Sequence, residues 1–291
     1  MKSVNEKYNL PSPFKDDEFE LLQKGVYDDP QVKVYINKSR DFAFLSPKPS
    51  VSYTNYLPRV KKLSLESYKE KGMFYQRRFE KISHIINNNA SSLIEIGAGS
   101  GTFLEIVKKK NPKIKVAAVE TDQDTACLRK KIVGSENYDS LEQICALGKK
   151  YDVICFFHVL EHIIELDSFF LQIHQLAQVE SIFIAEVPSL TDPLISLYSS
   201  KAYMKYYFQK QHPYIYSHAS LERLMSYYKF KTQDIVSHQR YGIENHLNWL
   251  VHKQPGGNEV FGKLFSETNQ QYIAELENSG NTDTVFWIGK C

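Results

Sequence analysis

Apolar positions in this chain follow two rhythms, and between Ser91 and Pro188 the two alternate. Leu93-Ile94-Glu95-Ile96, Lys113–Glu120 (KIKVAAVE), Tyr151–Phe157 (YDVICFF) and Ser181–Val187 (SIFIAEV) are short, nearly unbroken apolar runs. Runs of that length suit strands buried on both faces. Between them, Asp122–Lys131, Leu141–Lys149 and Glu165–Gln178 repeat their apolar residues at helical spacing, and Asn137-Tyr138-Asp139 marks a short third strand. Strands alternating with helices predict a parallel, doubly wound sheet. A helix over Ser217–Tyr228 and strands over Phe230–Ser237 and Thr284–Gly289 bring the expected strands to seven.

Three stretches break the rhythm. Residues 1–58 carry prolines and tyrosines and read as an irregular arm with one short helix near Asp17–Lys24. From about Leu63 a helix is expected, with Tyr75, Phe79, Ile82 and Ile86 on one face and Asn87-Asn88-Asn89 at its end. Residues 189–216, after strand five, and 239–282, between strands six and seven, are insertions too long for simple turns, and loops of that length are usually functional. The expected organisation is an N-terminal arm and cover helix over residues 1–88, followed by an α/β domain over 89–291 carrying both insertions.

Composition narrows the classes. The chain is 42% hydrophobic and 24% charged, and Lys+Arg 36 against Asp+Glu 34 leaves a formal net charge of +2. That balance argues against a nucleic-acid groove, and the short lysine and arginine clusters read as solvated helix faces. No apolar run is long enough to span a membrane, and no signal-peptide core is visible. Cys127, Cys145, Cys155 and Cys291 form no CxxC pair, so a reduced, cytoplasmic chain is expected.

Chemistry concentrates where the first strand ends. Gly97, Gly99 and Gly101 follow it at every second position, and a helical pattern begins at Phe103. Glycine serves where the backbone must take positive φ or let a ligand come close, and the new helix offers free N–H groups. The third glycine comes one residue too early for a dinucleotide fingerprint, and no phosphate-binding G-x-x-x-x-G-K-[ST] is present. Glu95 would repel a pyrophosphate yet could pair with a cationic amino acid. Glu120 ends strand two, 19 residues after Gly101, where a carboxylate can accept both ribose hydroxyls.

EIGAGSG, then VAAVETD, then YDVICFFHVLEHI, in that order and spacing, resemble a class I S-adenosylmethionine-dependent methyltransferase. The resemblance covers roughly Ser91–Pro188 and implies a Rossmann-like fold and S-adenosyl-L-methionine as cofactor. Its implied cofactor contacts are Glu95, Gly97, Ala98, Gly99 and Gly101 around the amino-acid part and Glu120 with Thr121 at the ribose. Asp139 and Ser140 would lie near the adenine, and Phe157 and His158 beside the methyl donor. His158-Val-Leu-Glu161-His162 also fits the H-x-x-E-H zinc-peptidase pattern, but His158 directly follows a buried strand instead of sitting within a helix. No metal is expected there; His162 is expected to pack or cap.

The acceptor is written less clearly. Gln211-His212-Pro213-Tyr214-Ile215-Tyr216-Ser217 is similar to a segment of sugar C-methyltransferases reading roughly E-H-x-x-Y-F-S, in which the histidine acts at the acceptor. Gln211 stands where that family has glutamate, and this chain lacks its cysteine-rich N-terminal module. Ser217 would cap the next helix. His212, His158 and His246, the last within Arg240–Trp249, are the candidate bases. The implied reaction is methyl transfer to a small molecule, a sugar or glycan intermediate of a bacterial surface-polysaccharide or secondary-metabolite pathway. A non-catalytic cofactor-binding partner is the alternative, and the oligomeric state stays open, a homodimer among the options.

Overall fold

The computed structural model describes residues 10–49, 65–87, 90–257 and 261–291, with side chains from residue 72 in the first long helix. The expected start of that helix near Leu63, the cluster Lys61-Lys62 and the stop at Asn88-Asn89 lie outside these residues. Within them the chain divides into two compact units. One holds residues 65–160, 165–185 and 288–291; the other holds residues 10–49, 161–164 and 186–287.

The first unit contains the regular alternation. Helix α1 (Leu65–Asn87) precedes β4 (Ser92–Ile96), and α2 (Thr102–Lys110), β5 (Lys115–Val119), α3 (Ala126–Val133), β6 (Asn137–Tyr138), α4 (Leu141–Ala146), β7 (Tyr151–Phe157) and α5 (Leu166–Gln175) follow. The strand numbers start at four because three strands come earlier in the chain. The seven-stranded sheet is completed by β8 (Ala177–Pro188), β10 (Lys231–His238) and β11 (Thr284–Lys290), in the order β10-β11-β8-β7-β4-β5-β6. The β4–β5, β4–β7 and β5–β6 pairs are parallel. Leu93, Ile94, Val153, Ile154 and Phe156 are buried, as strands covered on both faces require. On α1, Phe79, Ile82 and Ile86 form the buried face that their spacing predicted. The expected seven-stranded Rossmann-like sheet is the observed one, with element ends shifted by a few residues.

The second unit contains the main correction. Asp17–Lys24, expected to be helical, runs mostly in strand β1 (Phe19–Val26), which pairs antiparallel with β2 (Asp29–Asn37). Strand β2 pairs with β3 (Phe42–Ser46), and β3 pairs with β9 (Tyr214–Tyr216) from the first insertion. The reason is a period-two pattern: Val32, Val34 and Ile36 are buried, while Gln31, Lys33 and Tyr35 between them are exposed or half-buried. Ala43, Leu45 and Ile215 join one core with Leu190, Leu194, Tyr203, Tyr207, Phe208 and Trp249. The alternate residue Phe42 stacks on Phe14 with ring centres 3.8 Å apart, and the Tyr216 ring lies tilted 6.5 Å from that of Phe14. The insertions themselves hold α6 (Pro193–Ser196), α7 (Lys201–Tyr207), α9 (Ile243–His252) and α10 (Asn269–Asn278), and α8 (His218–Tyr227) lies between them. Ser217 caps α8 as expected, within a capping box shared with Ser220.

Candidate functional site

The glycine turn lies where the strand order of the sheet reverses, since β5 flanks β4 on one side and β7 on the other. Open α/β sheets bind ligands outside the strand ends at such a switch point. Gly97, Gly99 and Gly101 take φ of 74°, 52° and 81°, the left-handed region that suits glycine. At Gly97 the constraint is also steric: a Cβ there would come within 2.4 Å of Val159 Cγ2. At Gly99, among the described residues, nothing beyond its chain neighbours lies within 4 Å of where a Cβ would be. The turn therefore packs tightly at its start and is open at its middle.

Backbone bonds hold the turn in place. The N–H groups of Gly97 and Ala98 donate to the Val119 carbonyl at 2.8 and 3.2 Å. Glu120 is fixed from two sides, because its carboxylate accepts from Gly99 N–H at 2.8 Å and from Asp122 N–H at 2.9 Å. Thr121 Oγ1 lies 3.4 Å from the same carboxylate. One residue before the end of β4, Glu95 is only 2% exposed and pairs across the sheet with Cys155 of β7. The Cys155 thiol is pushed well up, first by burial and then by the Glu95 charge.

Arg129, absent from the sequence-based site, braces this turn from behind. Its buried guanidinium donates to the Gly99 carbonyl at 2.6 Å, the Asp122 carbonyl at 2.7 Å, Thr125 Oγ1 at 2.6 Å and Asn137 Oδ1 at 3.0 Å. Burial lowers its pKa, against the opposing charges of Glu120, Asp122 and Asp139. A signal was present in the chain: Arg129 sits three and four residues from Ala126 and Val133, on the inward face of α3. Lys130 and Lys131 beside it are exposed, as expected.

The remaining donor-side residues fall nearby in the same unit. Asp139 is exposed and accepts from Gln123 Nε2 at 3.0 Å, while Ser140 caps α4 by accepting from Gln143 N–H. Phe157 meets Phe103 edge-on, and the Arg78 guanidinium lies 4.6 Å from its ring and 5.1 Å from that of Tyr75. His158 has φ 54°, uncommon for a residue with a Cβ and of a kind found at functional sites. The open space beside Gly99, the oriented Glu120 carboxylate and the buried Glu95 fit a ligand that joins an amino acid to a nucleoside.

In the second unit, the donor atoms of Glu161, His162 and His212 lie within 4.8 Å of one another. His158 is not part of this group. His246 is 2% exposed, with Nδ1 at 2.6 Å from Tyr272 Oη and Nε2 at 3.3 Å from Gln239 Nε2. Burial pushes its imidazole down to about 4. Nearby in the chain's packing, Asp283 pairs with Arg240 at 2.8 Å. Asp192 accepts from Tyr203 Oη at 2.6 Å and from Leu194 N–H at 2.8 Å. Burial and the Asp283 charge push the Asp192 carboxyl up to about 7.

A family model described as a methyltransferase domain matches residues 68–234. No curated protein matches the chain. Among solved structures, a SAM-dependent methyltransferase from Archaeoglobus fulgidus aligns with a TM-score of 0.52 and 19% identity over 77% of this chain and 98% of that one, which shows a shared fold. The plantazolicin methyltransferase BpumL in complex with SAH aligns with a TM-score of 0.45 and 15% identity, over 78% of this chain and 91% of that one. Haemonchus contortus phosphoethanolamine N-methyltransferase 2 aligns with 0.48 and 12%, over 85% and 62%. Neither of these two weaker likenesses bears on the acceptor.

Proposed function

This chain belongs to the methyltransferase-domain family and is an S-adenosylmethionine-dependent methyltransferase, and we propose that it methylates a sugar or glycan intermediate, of the kind used in bacterial surface-polysaccharide or secondary-metabolite pathways. The cofactor supplies a methyl group already activated on a sulfonium. The protein's part is to bind, orient and keep the reaction dry. Glu95 and the Gly97–Gly101 backbone hold the amino-acid end, and Glu120 with Thr121 holds the ribose. Asp139 and Ser140 border the adenine, and Phe157 and His158 border the methyl group. The observation that carries the donor reading is the Glu120 carboxylate, fixed by Gly99 N–H and Asp122 N–H beside an open left-handed glycine.

The sugar reading rests on the second unit's chemistry. Tyr198, Tyr206 and Tyr241 are exposed, and exposed aromatic faces suit a polyol. Of the three histidines, we assign His212 to the acceptor and His158 to the neighbourhood of the methyl group. We assign His246, bonded at both ring nitrogens, to the packing of its own unit. Calorimetry with S-adenosylhomocysteine tests the donor half, and micromolar binding is expected. Release of S-adenosylhomocysteine from S-adenosylmethionine, scored over panels of sugars, nucleotide sugars, peptides and amines, tests the acceptor half. Turnover confined to peptides or amines would overturn the sugar reading and leave the donor assignments standing.

A further inference from the structure

We propose that Glu161, His162 and His212 form a binding site for one divalent transition-metal ion. The three residues come from two distant parts of the sequence. Glu161 and His162 belong to the short turn after β7, and His212 precedes β9. Their donor atoms nevertheless lie within 4.8 Å of one another, and among the described residues no other group of three His, Cys, Asp or Glu side chains is so gathered.

One hydrogen bond fixes the tautomer of His162. His162 Nδ1 lies 2.6 Å from the Gln211 carbonyl oxygen. A carbonyl only accepts, so Nδ1 carries the proton, and in the neutral ring Nε2 is left with its lone pair. Metal-bound histidines are held in this way, the second nitrogen donating to a carbonyl or carboxylate. The same bond ties the His162 ring to the residue next to His212, and the two imidazoles meet at 4.8 Å between ring centres. The Glu161 carboxylate beside them is 1% exposed. The Glu161 carboxylate and the two imidazoles thus gather within 4.8 Å of one another, one oxygen and two nitrogens that a single cation could share.

Donor type selects the ion. Two imidazole nitrogens and one carboxylate favour zinc, iron(II) or cobalt(II) over magnesium or calcium, which prefer oxygen throughout. Three protein ligands leave a coordination position open, as in catalytic sites. On the methyltransferase reading, on which only this role depends, an acceptor hydroxyl would fill that position. Coordination eases loss of its proton to solvent. His212 would then be a ligand and not a free base.

The test uses the full chain, stripped with a chelator and titrated with zinc and with cobalt(II). About one equivalent is expected to bind, and the cobalt form is expected to show the intense visible bands of a four- or five-coordinate site. Glu161→Gln, His162→Gln and His212→Gln should each weaken uptake at least about tenfold while leaving S-adenosylhomocysteine binding in place. A folded wild-type protein that takes up neither ion overturns the proposal, as does uptake undiminished in all three variants. Should the variants fail to fold, the cobalt spectrum of the wild type decides, with only the weak bands of the hydrated ion counting against the site. Loss of S-adenosylhomocysteine binding by metal-loaded wild type would instead strike the methyltransferase reading and leave the ion site standing.

Discussion

The two units of this molecule build their chemistry by opposite means. Around the glycine turn, the parts assigned to the cofactor are backbone groups and the carboxylates of Glu95 and Glu120, supplied by two consecutive β-α steps. In the other unit they are side chains drawn from the short turn after β7, the two insertions and the residue before β11. Backbone geometry is dictated locally, because a glycine with φ near 74° at Gly97 is a property of its own neighbours. A cluster such as Glu161, His162 and His212, or Asp192, Arg240 and Asp283, exists only after distant segments have packed. The lesson is that the glycine turn can be read as a motif, whereas the side-chain clusters of the other unit must be read as assemblies.

The largest expected effect tests the assembly. Arg240→Ala would take from Asp283, whose side chain is 2% exposed, its ion-pair partner and leave it only the donors of residues 240, 241 and 284. Breaking such a buried pair costs about 3–5 kcal/mol, read as a drop in unfolding free energy in urea. A loss below about 1 kcal/mol would show that the pair does not anchor this unit.

Next comes the pH response of Asp192. Its carboxyl has an ordinary value of 3.8 and is raised to about 7 in the fold. The folded state therefore binds more protons between those values, so this group's contribution is present below pH 4 and is lost as pH rises through 7. Asp192→Asn, neutral throughout, should show a shallower decline. The difference between wild type and variant should grow by about 2–4 kcal/mol from pH 4 to pH 8.5. A constant difference would refute the raised value. His246 acts in the other direction: with its folded value depressed to about 4, its contribution is present above the usual histidine range and fades as pH falls towards 4.

On the donor side the effects should appear in binding. Gly97→Ala places a methyl group against Val159 and forces a residue with a Cβ to φ 74°. A loss of roughly 30-fold in S-adenosylhomocysteine affinity, about 2 kcal/mol, is expected by calorimetry. Glu120→Gln keeps the shape but replaces a charged acceptor, and about tenfold weaker binding is expected. Asp139→Ala, at an exposed position, should cost about threefold or less. If Asp139→Ala exceeded Gly97→Ala, the view of the donor site as mainly backbone geometry would fail.

What could be read in advance follows the same division. The sheet was legible because apolar runs at Leu93–Ile96 and Tyr151–Phe157 have one stable use, burial between helices. The turn was legible because three glycines at every second position follow such a run. Arg129 was missed although its helical phase with Val133 pointed inward, because an arginine beside two lysines reads as a solvated face. Strands β1 to β3 were missed because prolines and tyrosines masked the alternation at Val32, Val34 and Ile36. Gln211 marked the apparent loss of the carboxylate that accompanies the acceptor histidine in similar enzymes. Glu161, from another part of the chain, is the carboxylate that gathers with His212.

By itself, then, the sequence determined the donor: the order of strands and helices, the left-handed turn and the carboxylate that ends the second sheet strand. These depend on neighbours within about thirty residues along the chain. Tertiary structure alone decided which side chains would share a buried space. The β3–β9 pairing, the Arg240–Asp283 pair and the Glu161–His162–His212 cluster each join segments far apart along the chain. Their energies come from burial and desolvation, which no local pattern of residues encodes.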